Sequence, residues 1–180
     1  GGGSLYAWAK DIGSKFTGQD VNAQIVQSLK SLQINLQSCF VAPEEETYDI
    51  AANMRADADS ITRLMTVPLV QSLLWHSTSL GDANKRNFVV LYGLMALPPI
   101  IVCDDYAFSD LYDDYVVNVR NDATPASLTA ARKKLESRYT CLGIDCNMVG
   151  EANFALPGGA CVDPQLDIHG YVVANQELRE

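Results

Sequence analysis

The sequence predicts an all-α fold: a bundle of five or six helices, followed by an irregular C-terminal tail that is stapled by disulfide bonds. Apolar residues recur at steps of three and four over the first three quarters of the chain, the spacing that lines one face of a helix. Helix-start residues precede several of these segments. Five of the twelve glycines and three of the five cysteines then fall in residues 141–180, where the helical spacing stops.

Length and composition indicate one domain. The chain has 180 residues, of which 48% are hydrophobic and 19% charged, an ordinary globular composition that excludes disorder and low-complexity classes. Residues 1–4 (GGGS) have the composition of a linker or of a junction left by processing, so we expect a segment excised from a larger protein. Residues 5–140 form the predicted helical domain, and residues 141–180 form a Cys/Gly-rich tail packed on that domain.

Two helices are predicted in the first forty residues. A short one over residues 5–12 presents Leu5, Trp8 and Ile12 on one side and ends before Gly13. A longer one follows Asp20, whose carboxylate suits an N-cap, and continues to Ser38. The apolar face predicted for this helix consists of Val21, Ile25, Leu29, Leu32 and Leu36.

The next segment is predicted to be two helices separated by a proline. Pro43 and the acids at 44–46 are typical of a helix start, and this helix is expected to continue to about Met65. Val67-Pro68 is expected to interrupt it, because proline lacks the N–H that an interior helical position needs. A new apolar face then runs from Leu69 to Leu80.

The longest uncharged stretch runs over residues 87–103, after a helix start at Asp82. It has 17 residues, and Pro98-Pro99 would end a helix near Leu97, whereas a membrane-spanning helix needs about 20 apolar residues. We therefore predict a core helix followed by a short buried extended piece. A membrane-inserting hairpin is the less favoured alternative.

Two further helices are predicted before the tail. Residues 104–120 have helical spacing, although a strand over residues 115–119 is an alternative because of their Tyr and Val content. Thr124-Pro125 is a helix start, with Thr as N-cap and Pro in the first turn. The residues expected to be buried by this last helix are Leu128, Ala131, Leu135 and Tyr139. In the tail, residues 171–173 are a candidate short strand.

The cysteines indicate an oxidising compartment. The five disulfide candidates include no CxxC pair, which a zinc ribbon or a thioredoxin-type site would need. We therefore expect disulfides and a secreted or lumenal protein, with one thiol left over; five reduced, buried cysteines in a cytosolic protein are the alternative. The candidates are Cys39, Cys103, Cys141, Cys146 and Cys161.

A cluster of five acids with no base among them lies between residues 104 and 114. It is the predicted binding site, an acidic face on which a basic protein partner docks. A solvated helix face, capped at its start, is the plainer alternative, and no metal is predicted because the spacing of an EF-hand is absent. The five residues are Asp104, Asp105, Asp110, Asp113 and Asp114.

Motifs for catalysis and for phosphate binding are missing from the sequence. There is no phosphate-binding glycine loop and no Gly-x-Ser-x-Gly elbow, and neither His76 nor His169 has the Glu three residues earlier that a helical di-metal site needs. No catalytic residue and no cofactor are therefore predicted. The net charge of −9 argues against nucleic acid as a partner.

These observations predict a non-catalytic, extracellular or lumenal protein-interaction domain. One alternative is an enzyme whose site is assembled from distant residues, around the acidic cluster with His76 or His169. Another is a helical carrier of an apolar small molecule, held between helices. The residues that would line such a carrier's cavity are Met54, Met65, Trp75, Tyr92, Met95 and Phe108.

Overall fold

The computed structural model describes residues 4–18, 20–41, 43–121, 124–156 and 158–161. Most of the described residues are helical and none of them forms a strand, which confirms the all-α fold. The residues predicted as a strand at 171–173, together with His169, lie outside the described part of the chain. The described part of the chain contains seven α-helices: α1 Leu5–Gly13, α2 Val21–Cys39, α3 Glu44–Ser77, α4 Ala83–Ala96, α5 Asp105–Tyr112, α6 Pro125–Glu136 and α7 Cys146–Val149.

Helix α3 is the central element, and the predicted interruption at Val67-Pro68 is wrong. The helix continues for 34 residues with Pro68 inside it. An interior proline costs about 3 kcal/mol, but Val67, Val70 and Leu73 are fully buried on either side of it. Each such side chain contributes about 1.5–3 kcal/mol when it is buried. Burial on both sides of the proline therefore outweighs the lost hydrogen bond.

Helices α2 and α3 form a long hairpin, of which only the base belongs to the core. Val21 and Ile25 of α2 are buried, as predicted. Leu29 and Leu36, which were predicted to be buried on the same face, are 49% and 46% exposed. The prediction fails there because the outer half of α2 has only the N-terminal half of α3 beside it.

Helix α4 contributes Val89, Val90 and Ala96 to the core, as predicted, but it is buried on one side only, and the prediction of an extended continuation is wrong. Its inner face, which includes Val89, Val90 and Gly93, packs against α3 and against residues 113–120. A side chain at position 93 would press on Tyr115 and Val116, so glycine permits this close approach. The continuation is a 3₁₀ helix, Pro98–Val102.

The segment after α5 is helical, so the alternative of a strand over residues 115–119 is wrong. A π-helical turn, Asp113–Val117, follows α5 directly, and a 3₁₀ turn, Asn118–Arg120, follows it. The consecutive residues Tyr115 and Val116 are both buried there. A strand would have pointed them to opposite faces, whereas here both contribute to the core.

Helix α6 begins where it was predicted to begin. Thr124 is the N-cap, and it forms a reciprocal capping box with Ser127. Arg132 and Glu136 form an ion pair in the interior, with Nε and Oε1 2.6 Å apart, and both side chains are 7% exposed. The four residues predicted to be buried by this helix are all buried: Leu128, Ala131, Leu135 and Tyr139.

The tail is attached to the body by covalent and hydrogen bonds. Disulfides join Cys103 to Cys141 and Cys146 to Cys161, whereas Cys39 is free. The two disulfides and the one free thiol agree with the predicted disulfide-stapled tail and the predicted leftover cysteine. The tail differs from the prediction in one respect, since it contains the short helix α7, too brief to show a helical period. Gln71 of α3 donates to the carbonyl of Val149 in α7 at 2.8 Å, in a buried position.

The two ends of the described chain also meet. Phe16 and Ala152 form an isolated antiparallel bridge, and the amide of Thr17 donates to the carbonyl of Glu151 at 2.8 Å. Gly150 has a positive φ of 78°, and a Cβ there would collide with the backbone of Gly18. Glycine is therefore required at position 150 for this contact.

This arrangement predicts the thiol count of the native protein. Denatured without reductant, the chain should react with a thiol reagent once, at Cys39, and after reduction it should react five times. The Cys39→Ala variant is the control and should give zero and four. Five reactive thiols in unreduced protein would contradict the disulfide assignment.

Candidate interaction surfaces

The predicted acidic face is largely occupied by bases of the same chain. Asp104 caps α5 by accepting from the amide of Ala107 at 2.9 Å, and its Oδ2 also lies 2.9 Å from Nη2 of Arg138. The hydrogen bond from Ala107 and the positive charge of Arg138 hold the pKa of Asp104 below its ordinary value. Asp104 is therefore ionised at neutral pH and engaged within the fold.

Two further members of the cluster contact Lys134 of α6. The Nζ of Lys134 lies 2.9 Å from Oδ2 of Asp114 and 3.7 Å from Oδ2 of Asp110. The hydrogen bond that Lys134 donates to Asp114 raises the pKa of Lys134. Asp105 and Asp113 are exposed, and they form no ion pair within the described residues. The five acids thus divide into three that pair with a base in α6 or just after it and two that face solvent.

The outer half of the α2–α3 hairpin is the first exposed apolar surface; we call residues 26–41 of α2 and its following turn the arm. Two hydrogen bonds join the arm to α3: Asn35 Nδ2 donates to Asp57 Oδ2 at 2.9 Å, and the hydroxyls of Ser28 and Ser60 lie 3.5 Å apart. Leu32, which was predicted to be buried, is half-buried between these two positions. Lys30 is the single charged residue in the arm. Its exposed apolar residues are Val26, Leu29, Ile34, Leu36, Phe40 and Val41.

The second exposed apolar surface runs along the outer side of α4 and the 3₁₀ helix after it; we call it the band. It consists of Phe88, Leu91, Leu94, Met95, Ile101 and Val102, with exposed fractions from 43% to 90%. In the described part of the chain, Ala83–Val102 is the one helical stretch long and apolar enough to cross a membrane, with a mean hydropathy of 1.3. Such a stretch also occurs in core helices of soluble proteins.

Sequence reasoning missed both surfaces because it assigned Leu29 and Leu36 of the arm, and α4 as a whole, to the core. A signal for the band was present, since residues 88–97 of α4 are apolar on every side, and a helix of that kind is ordinarily covered all round. For the arm, the signal was the presence of Ser28 and Asn35 at the positions that meet α3.

An aromatic cluster fixes α1 to the ends of α3 and α4. The rings of Trp8 and Tyr92 stack at 5.8 Å, and the indole N–H donates to the Tyr92 hydroxyl at 3.1 Å. His76 stacks on Tyr92 and Phe88. Burial, together with the nearby Lys85, lowers the pKa of His76, so this imidazole is neutral at pH 7. These contacts account for the cluster as packing.

The described residues hold no group of three His, Cys, Asp or Glu side chains placed to bind a metal ion. Two surface clefts of about 310 and 260 Å³ lie beside α6 and beneath α1. The six residues predicted to line a carrier's cavity line neither cleft. Of those six, Met95 belongs to the band and is 49% exposed.

Comparison with known proteins gives no relative for this chain. No protein-family model, no curated protein and no solved structure matches it. The surfaces described above are therefore interpreted from their own chemistry.

The contacts of Asp104 predict how the free energy of unfolding depends on pH in the acidic range. At pH 7, Asp104→Ala should lower the free energy of unfolding by about 1–2 kcal/mol, because it removes the N-cap and the Arg138 pair together. Since the pKa of Asp104 is lowered by folding, this contribution is present above its unfolded-state pKa and is lost as the pH falls through the folded-state value. Urea unfolding at a series of pH values measures both effects.

The exposed Asp113 provides the matched control. Asp113→Ala should change the unfolding free energy by less than about 0.5 kcal/mol at any pH. Equal effects of the two substitutions at pH 7, or an undiminished effect of Asp104→Ala at pH 2, would contradict the role assigned to Asp104.

Proposed function

We propose that this protein is a non-catalytic protein-interaction domain of a secreted or lumenal compartment, and that it binds its partner through the arm. The observation that carries the proposal is the partly inverted polarity of the arm: serine, asparagine and aspartate side chains form hydrogen bonds between α2 and α3, whereas the large apolar side chains of the arm, except the half-buried Leu32, face outward.

This inversion favours a binding role because water is a poor environment for the outer face. Phe40 and Val41 at the end of the arm are 83% and 85% exposed, and Ile34 is 62% exposed. Isolated exposed apolar residues are ordinary on protein surfaces, but a run of them along one helix marks an interaction site. The arm presents six such residues within 16 positions.

The chemistry of the arm indicates the kind of partner. Val26, Leu29, Leu36 and Phe40 follow the three-and-four spacing by which one helix packs along another. The flanking residues are uncharged except for Lys30. The partner that fits is an amphipathic helix of another protein, with uncharged flanks and an acidic residue opposite Lys30.

The sulfur chemistry supports the proposed compartment. Disulfides persist in oxidising environments and are rare in the cytosol. The two intrachain disulfides are consistent with an extracytoplasmic protein. Within such a compartment, we propose secretion or lumenal residence as the setting in which the partner is met.

The acidic face is a weaker candidate for docking than the arm. A basic partner would have to displace Arg138 from Asp104, and Lys134 from Asp110 and Asp114. The arm has no such competitor on its outer side, because the residues there are already exposed. We therefore assign recognition to the arm.

A photo-crosslinking residue at position 36, on the arm's outer face, tests this proposal. Exposed to the extracellular or lumenal fraction of the source organism, the variant should give a discrete one-to-one adduct with a protein. Binding of the purified, identified protein should then weaken at least about tenfold with Leu29→Asp or Leu36→Asp, because either change puts a charge into an apolar interface.

The matched control is Leu5→Asp, which introduces the same charge at an exposed leucine of α1, outside the arm and outside α4, 59% exposed against 49% for Leu29. It should leave the affinity for that partner unchanged. An affinity that is insensitive to both arm substitutions, or one lost equally with Leu5→Asp, would refute the arm as the binding surface.

A further inference from the structure

The band differs from the arm in that charged residues of opposite sign lie near its two ends. We therefore consider its binding partner separately. Helix α4 is apolar on its inner and outer sides alike, and residues 87–103 contain no charged side chain. The backbone stays in the helical region through Leu97 and Cys103, so the band continues along one direction from Phe88 to Val102.

A base marks the beginning of the band, and an acid marks its end. Lys85 lies one turn before Phe88, and Asp105 lies three residues after Val102. Neither side chain forms an ion pair within the described residues; Lys85 lies instead over the ring of Trp75, 5.9 Å from its centroid. Met95, at the middle of the band, is ten residues from each.

This arrangement of charges is self-complementary under a twofold rotation that reverses the direction of α4. In a twofold-symmetric interface, residue i of one subunit contacts residue j of the other, and j contacts i. If two α4 helices pack antiparallel with the axis near Met95, the apolar residues face one another. Each Lys85 then lies near the Asp105 of the other copy.

We infer that a second copy of this chain covers the band, and that the protein is a homodimer with antiparallel α4 helices and crossed Lys85–Asp105 pairs. This inference is independent of the function proposed for the arm, because it uses a different surface and a different readout. The proposed dimer interface includes no residue of the arm.

A lipid surface is the competing occupant, and the charges disfavour it. The chain carries a net charge of −9, and acidic residues lie at the C-terminal end of the band, so anionic headgroups would be repelled. The headgroups of a neutral bilayer place no charged group at a fixed position opposite Lys85 or Asp105. A second copy provides one for each of them.

Sedimentation velocity of the full chain over a wide range of protein concentrations tests the inference. The wild-type protein should reach twice the mass of one chain. Leu91→Asp and Leu94→Asp should each raise the dimer dissociation constant at least about tenfold, while thermal unfolding shows that these variants remain folded. Leu29→Asp, on the arm, should leave the dissociation constant unchanged.

Charge exchange tests the antiparallel arrangement. Lys85→Glu and Asp105→Lys should each weaken the dimer, and the double variant should recover most of the wild-type affinity because the crossed pairs are restored with reversed sign. Failure of the double variant to recover would overturn the arrangement.

Three other outcomes would overturn the dimer itself. The first is a monomer at every concentration. The second is a dimer that Leu29→Asp dissociates and Leu91→Asp does not. The third is a monomer that co-sediments with phosphatidylcholine vesicles and loses this binding with Leu91→Asp, which would assign the band to a membrane surface.

Discussion

The burial of α3 around Pro68 is the constraint on which the rest of the structure depends. Val67, Val70 and Leu73 have no exposed surface, and α1, α2, α4 and α7 all contact this helix. A break at the proline would divide the helix into two halves that need not share one direction. The hairpin with α2 would then be uncoupled from the core that holds α4 and the tail.

This central helix also explains why so much apolar surface stays outside. One half of α3 is surrounded by core elements, whereas the other half has α2 alone beside it, so the outer face of the arm meets solvent. On the opposite side, α4 packs inward through Val89, Val90 and Gly93, and its outer face is left uncovered. Both proposed interfaces therefore arise because the core encloses only some of the large apolar side chains of the protein.

The sequence predicted the local features of the fold well and the non-local ones poorly. Asp20, Asp82 and Thr124 cap helices as predicted, because a cap depends on residues two or three positions away. Pro68 was misjudged because its cost is local, while the burial that offsets it comes from distant elements. Leu29 follows the same helical spacing as Ile25, and only the packing of other elements decides which of the two is buried. The spacing of the five cysteines left their pairing open for the same reason. Of the predicted acidic site, Asp104 was recognised as a cap, but the contacts that α6 makes with the cluster depend on the fold.

Native-state hydrogen exchange of α3 is the most direct measurement of this account. We predict that the amides from Leu64 to Val67 and from Leu69 to Leu74 exchange together, at the slowest rates in the protein and only through global unfolding, because the helix is continuous and its core face is sealed. Fast exchange confined to the turn around Pro68, or two sets of amides with separate opening free energies on its two sides, would contradict the central role of this helix.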